Sequence, residues 1–128
     1  MPKRTNAQAR DGGGRKCYLN AMPKFTLADL EQRVSDRANA PAEQSYTRQL
    51  LNKGVAQCAK KFGEEAVEAV LAVVSEDRDR VIAESADVLY HLFVMLQARG
   101  VKLAEIEALL ETRTKKSGLE EKASRPRE

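Results

Sequence analysis

From Thr26 onward, apolar residues recur at helical spacing along almost the whole chain. Thr26 followed by Asp29 has the form of an N-cap with an acidic residue at the third helical position. Leu27, Leu30 and Val34 follow at spacings of three and four, which predicts a first helix that fades near Asn39–Pro41. Ser45 is a second N-cap candidate, and a short helix through Leu50 and Leu51 should end at Gly54, a plausible C-cap. A third helix is expected from about Val55 to Val74, carrying Phe62, Ala66, Val67, Val70, Leu71 and Val74 as one apolar stripe. Gly63 inside it costs up to about 1 kcal/mol. The polar stretch Ser75–Asp79 predicts a turn, and a fourth helix should run from about Arg78 to Arg99, closed by Gly100. A fifth, amphipathic helix carries Leu103, Ile106, Leu109 and Leu110 and ends near Ser117–Gly118. The last residues read as a polar tail of mixed charge.

This pattern predicts an all-α fold, an antiparallel bundle of about four to five helices. Composition agrees: 128 residues favour one domain, and Gly (7) and Pro (4) are few beside Ala, Leu, Glu, Lys and Arg. Aromatic residues are only 5% and Trp is absent, so the core must be aliphatic. From Val88 to Leu96 the fourth helix is apolar almost all round, and a helix apolar on every side must be covered on every side. A single small domain struggles to do that, which predicts a homodimer or a higher homo-oligomer. No apolar run reaches the roughly 18 residues of a membrane span, and no secretory segment follows the start. No membrane is therefore expected. Cys17 and Cys58 are the only cysteines, which favours reduced thiols and a cytoplasmic setting over a disulfide scaffold.

Charge is unevenly placed. Residues 1–24 hold Lys3, Arg4, Arg10, Arg15, Lys16 and Lys24 against Asp11 alone, together with Gly12, Gly13 and Gly14 and no hydrophobic period. They are expected to form a disordered basic arm, with the folded domain spanning 25–128. A basic arm can meet nucleic acid, but a solvated tail is the plainer reading, and a nucleic-acid partner would leave the acidic residues described next without a role.

Two acidic patterns carry the chemistry. The third helix has Glu64, Glu65 and Glu68; the fourth has Glu84 and Asp87. Residues three or four apart share a helix face, so each set projects together. The short turn makes the two helices antiparallel neighbours and can bring the sets level, gathering up to five carboxylates around one point. A lone Glu-x-x-Glu is usually solvated surface. Glu84 and Asp87 differ because they lead into the most apolar stretch of the chain, where buried carboxylates need partners. Clusters of oxygen donors suit Mg²⁺ or Mn²⁺, and Mg²⁺ commonly combines a few carboxylates with substrate phosphates. Lys60, Lys61, Lys53 and Arg48 lie close enough in sequence to grip phosphate, although ordinary helix solvation explains any one of them equally well. His91, the only histidine, lies one turn after Asp87 and can orient a ligand or contact a base; a half-buried, satisfied histidine is the competing reading. A single histidine and the absence of a Cys-x-x-Cys pair exclude a multi-histidine zinc site. No P-loop or Rossmann fingerprint is present, and Ser45 and Cys58 lack a clear base partner for covalent catalysis.

The order Glu64-Glu65-x-x-Glu68 then Glu84-x-x-Asp87 resembles the signature of the all-α, MazG-like nucleoside triphosphate pyrophosphohydrolases. The strings Ser45-Tyr46-Thr47, Lys60 to Glu65, Ala86 to His91 and Ser117 to Arg125 resemble its phosphoribosyl-ATP pyrophosphatase branch. The resemblance covers about Phe25 to Arg125 and implies Mg²⁺-dependent cleavage of phosphoribosyl-ATP to phosphoribosyl-AMP and pyrophosphate, the second step of histidine biosynthesis. It implies Glu65, Glu68, Glu84 and Asp87 as metal ligands, with Glu64 a ligand or the group that orients water. Catalysis would then rest on Glu64, Glu65 and Glu68, and Lys122 and Arg125 join the candidates for phosphate contact. The alternative is a housekeeping pyrophosphatase for noncanonical nucleoside triphosphates with the same acidic site.

Overall fold

The computed structural model describes residues 24–115 and 118–126. The expected basic arm falls outside them apart from Lys24, as does Ser117 at the expected end of the fifth helix. Among the described residues six helices follow in order: α1 (Leu27–Ala38), α2 (Tyr46–Asn52), α3 (Val55–Ser75), α4 (Arg78–Arg99), α5 (Leu103–Thr114) and α6 (Gly118–Ser124). There is no strand among the described residues, so the all-α expectation holds.

The helix ends are set by local chemistry. Thr26 Oγ1 accepts from the Asp29 amide at 3.2 Å, and the Asp29 carboxylate accepts from the Thr26 amide at 2.9 Å. These bonds to Thr26 hold the Asp29 carboxyl below its ordinary range. Ser45 Oγ accepts from the Arg48 amide at 3.1 Å and donates to the Arg37 carbonyl at 2.7 Å, so the cap of α2 also ties it to the end of α1. Gly54, at φ 97°, follows the Lys53 C-cap of α2 and is at once the N-cap of α3. That left-handed backbone is open to glycine without strain. Asp77 caps α4, and Gly100, at φ 66°, ends it. The start of α5 is held by Glu31 of α1, whose carboxylate accepts from the Leu103 amide at 2.7 Å.

Only Glu76 and Asp77 separate α3 from α4, so the two long helices run antiparallel and form the most extensive packing in the molecule. Helix α4 also packs on α1 and α2. The core is Val34, Leu50, Cys58, Phe93 and Val94, with Leu30, Leu51, Tyr90, Ala98 and Leu103 packed against it. By length and composition α4 is long and apolar enough to cross a membrane. It nevertheless buries Glu84 and His91 and contacts three helices.

Two features depart from expectation. The apolar girth of α4 is covered only in part, with Leu89 exposed and Val88, Leu92, Met95 and Leu96 half-buried, and a larger uncovered surface lies on α3. There Val67, Val70 and Val74 are 57%, 61% and 78% exposed, with Leu71 beside them. The polar tail also contains α6, which packs on α5. Its residues have fair helix propensity but no apolar period, and Leu119 stays exposed, so hydrophobic patterning did not reveal it.

Candidate metal and phosphate site

Helices α3 and α4 deliver the acidic residues at matching heights. Glu65 stands eleven residues before Glu76, and Asp87 ten after Asp77. At 1.5 Å per residue both lie about 15 Å from the turn. Glu65, Glu84 and Asp87 each present an oxygen within 4.8 Å of the others. Glu84 is buried (6% exposed), Glu65 is half-buried and Asp87 is exposed, so the trio opens to solvent on one side. Glu64 and Glu68 are exposed and flank the trio on α3 without joining it.

Three carboxylates this close repel one another unless cations intervene. Lys61 Nζ lies 3.1 Å from Glu65 and 3.5 Å from Glu64. Its bond to Glu65 raises the Lys61 pKa above its ordinary value. Arg80 serves α4: it donates to Glu84 and, through Nε at 3.2 Å, to Glu76. Sequence reading missed Arg80, although its spacing of four from both acids was the available signal. The donor set fits a hard divalent cation: all oxygen, strongly anionic, and open on one side for water or phosphate.

His91 is buried, and its Nδ1 has no hydrogen-bond partner among the described residues. Its ring meets Tyr90 edge-on at 5.0 Å and Tyr46 at 6.4 Å between centroids. Burial pushes its pKa down; Glu65, Asp87 and Glu64 oppose that shift, and Lys61 reinforces it. An unfolded chain takes up a proton near pH 6.5, about where free imidazole titrates, while folded His91 resists. Stability should therefore fall as pH drops from about 7 to about 5, because the unfolded state binds more protons there. Urea unfolding across that range checks it: His91→Gln should give a flatter dependence than the parent chain.

The remaining basic candidates are dispersed. The Arg48 guanidinium donates to the Ala38 carbonyl at 2.9 Å and so secures α1 to α2. Lys53 is the C-cap of α2, and Lys60 is exposed on α3 beside Lys61. Lys122 lies on α6, and Arg125 follows that helix. Tyr46, which the sequence offered only within the string Ser45-Tyr46-Thr47 and without a role, is half-exposed at the start of α2 and meets His91 edge-on. Only the packing of α2 on α4 brings these two together.

Known proteins give an independent comparison. The model of the phosphoribosyl-ATP pyrophosphohydrolase family matches residues 27–114, a span that includes every carboxylate of the cluster. The chain is 62% identical over 104 residues to phosphoribosyl-ATP pyrophosphatase 1 of Bradyrhizobium diazoefficiens, covering 81% of this chain and 98% of that one. It is 59% identical over 107 residues to the protein of the same name from Rhodopseudomonas palustris, covering 84% and 100%. The phosphoribosyl-ATP pyrophosphatase of Azorhizobium caulinodans is 59% identical over 104 residues, 81% of this chain and 95% of that protein.

Proposed function

The chain belongs to the phosphoribosyl-ATP pyrophosphohydrolase family, and from that premise we propose how its residues carry out the reaction. It is a hydrolase of histidine biosynthesis that converts phosphoribosyl-ATP to phosphoribosyl-AMP and pyrophosphate. The observation that carries the site assignment is the convergence of Glu65, Glu84 and Asp87 from two helices. These three would hold Mg²⁺; Glu68, which the family resemblance implies as a fourth ligand, stands one turn along α3 outside the trio. When bound, Mg²⁺ neutralises phosphate charge and makes the anhydride phosphorus more electrophilic.

The protein's own groups supply the rest. Glu64, exposed beside Lys61, takes the proton of the attacking water. As the new oxygen–phosphorus bond forms, the bridging bond between the α and β phosphates breaks and pyrophosphate leaves. Lys61, bonded to Glu65, offsets the charge that accumulates on the departing group, and Lys60, exposed one residue before it on α3, adds to the local positive charge. Arg80 positions Glu84 by holding its carboxylate along the helix axis. Arg48 is committed to the Ala38 carbonyl, so its part is to fix α2.

The enzyme works in the cytoplasm as a homodimer, or a larger closed assembly, built on the α3 stripe. No described helix covers Val67, Val70 and Val74, and residues 1–24 have no apolar period with which to do so. A second copy, presenting the same patch about a two-fold axis, is the occupant that matches it.

Pyrophosphate release from phosphoribosyl-ATP, with and without Mg²⁺ and beside dUTP and ATP, tests the activity. Metal-dependent release with strong preference for phosphoribosyl-ATP is expected. Preference for dUTP would overturn the substrate assignment while keeping the acidic site.

A further inference from the structure

The acidic cluster accounts for the phosphate end of a nucleotide, but not for its base. Tyr46 is the exposed aromatic residue that meets His91, one turn from Asp87. It opens α2, and the residue is 51% exposed. The other described rings are otherwise engaged. Phe93 is buried, Phe62 and Tyr90 are half-buried, and Phe25 lies under the Arg33 guanidinium at 4.8 Å. Exposure here is not looseness, because the first turn of α2 is fixed on two sides. Ser45 bonds α1 through the Arg37 carbonyl at 2.7 Å, and Thr47 Oγ1 shares a 2.5 Å hydrogen bond with the Tyr90 hydroxyl of α4. The Tyr46 ring also meets His91 edge-on at 6.4 Å, and His91 is wedged against Tyr90 at 5.0 Å.

This rigid aromatic edge adjoins the carboxylates. His91 lies one helical turn beyond Asp87, about 6 Å along α4. Lys61, bonded to Glu65, lies within electrostatic reach of Tyr46. An exposed π-face held in place is a stacking platform, since every base offers a face of its own and little ordering remains to be done on binding.

We propose that Tyr46 stacks on the purine ring of the nucleotide substrate and so supplies binding affinity at the base end of the site. The proposal rests on the pyrophosphohydrolase reading above. Steady-state kinetics of Tyr46→Phe and Tyr46→Leu test it. Tyr46→Leu should raise KM for phosphoribosyl-ATP about five- to 150-fold, the range of base–aromatic stacking, with a much smaller change in kcat. Tyr46→Phe keeps the ring and should restore KM to within about twofold of the parent chain. Inhibition by phosphoribosyl-AMP should weaken in Tyr46→Leu, whereas inhibition by pyrophosphate, which has no base, should not move.

Equal weakening of both inhibitors, or an unchanged KM in Tyr46→Leu, would overturn the proposal. So would a Tyr46→Phe variant as impaired as Tyr46→Leu. Calorimetric binding of AMP to the same three proteins separates this proposal from the activity. If the parent chain fails to turn over phosphoribosyl-ATP, the pyrophosphohydrolase reading fails, but AMP affinity still decides Tyr46. Loss of at least about fivefold in Tyr46→Leu alone supports stacking. No AMP binding to the parent chain, or no loss in the variant, refutes it.

Discussion

Asp87→Asn is expected to lower hydrolysis of phosphoribosyl-ATP by about three orders of magnitude, the scale of losing a central electrostatic contact to a reacting phosphate. The substitution keeps the size of the side chain and removes one negative charge from a cluster of three. Asp87 is exposed, so the amide brings no burial penalty and the fold should survive. Glu84 is a less clean target because it is buried and receives the Arg80 guanidinium; Glu84→Gln disturbs packing as well as charge. Initial rates at saturating Mg²⁺, beside helical content by circular dichroism, check the result. Full activity in a folded Asp87→Asn protein would remove Asp87 from the metal-site proposal.

Val70→Asp is the second large effect. Val70 lies in the middle of the α3 stripe, one turn from both Val67 and Val74. In a two-fold interface the substitution enters twice, placing two carboxylates in an apolar contact with no cation to meet them. An unpaired buried carboxylate is costly enough that weakening of dimerisation by about 10³-fold or more is expected. Sedimentation at micromolar concentration should find the parent chain as a dimer or larger and the variant as a single chain. Within a monomer Val70 is already 61% exposed, so the helix itself should be little affected. A parent chain that sediments as a monomer, or a variant that stays assembled, would remove this face as the interface.

The placement of α6 and of the uncovered apolar surface shows where reading the chain stopped. Hydrophobic period finds elements that bury a face, and α6 buries little, with Leu119 exposed. Period also finds how much of a helix is apolar, but not which side its neighbours take. The girth of α4 therefore pointed to a partner; α1, α2 and α3 bury Phe93 and Val94 of it, leave Leu89 exposed, and leave the valines of α3 bare as well.

The rest divides along the same physical line. Interactions within a few residues were written in the order of the chain: the Thr26–Asp29 and Ser45 caps, the left-handed Gly100, the tight turn between α3 and α4, and the pairing of acids one turn apart on each helix. Those contacts depend on helix pitch and side-chain length alone. Contacts between helices depend on rotation and height, which only packing sets. Tertiary structure decided that Glu65 joins Glu84 and Asp87 while Glu64 and Glu68 stand aside. It decided that Arg48 secures α1 instead of facing the acids, and that Tyr46 reaches His91 across 45 residues of chain. A one-residue step rotates a helix position by about 100°, so neighbours in sequence can face opposite ways, and no pattern along the chain reveals which of them meets the site.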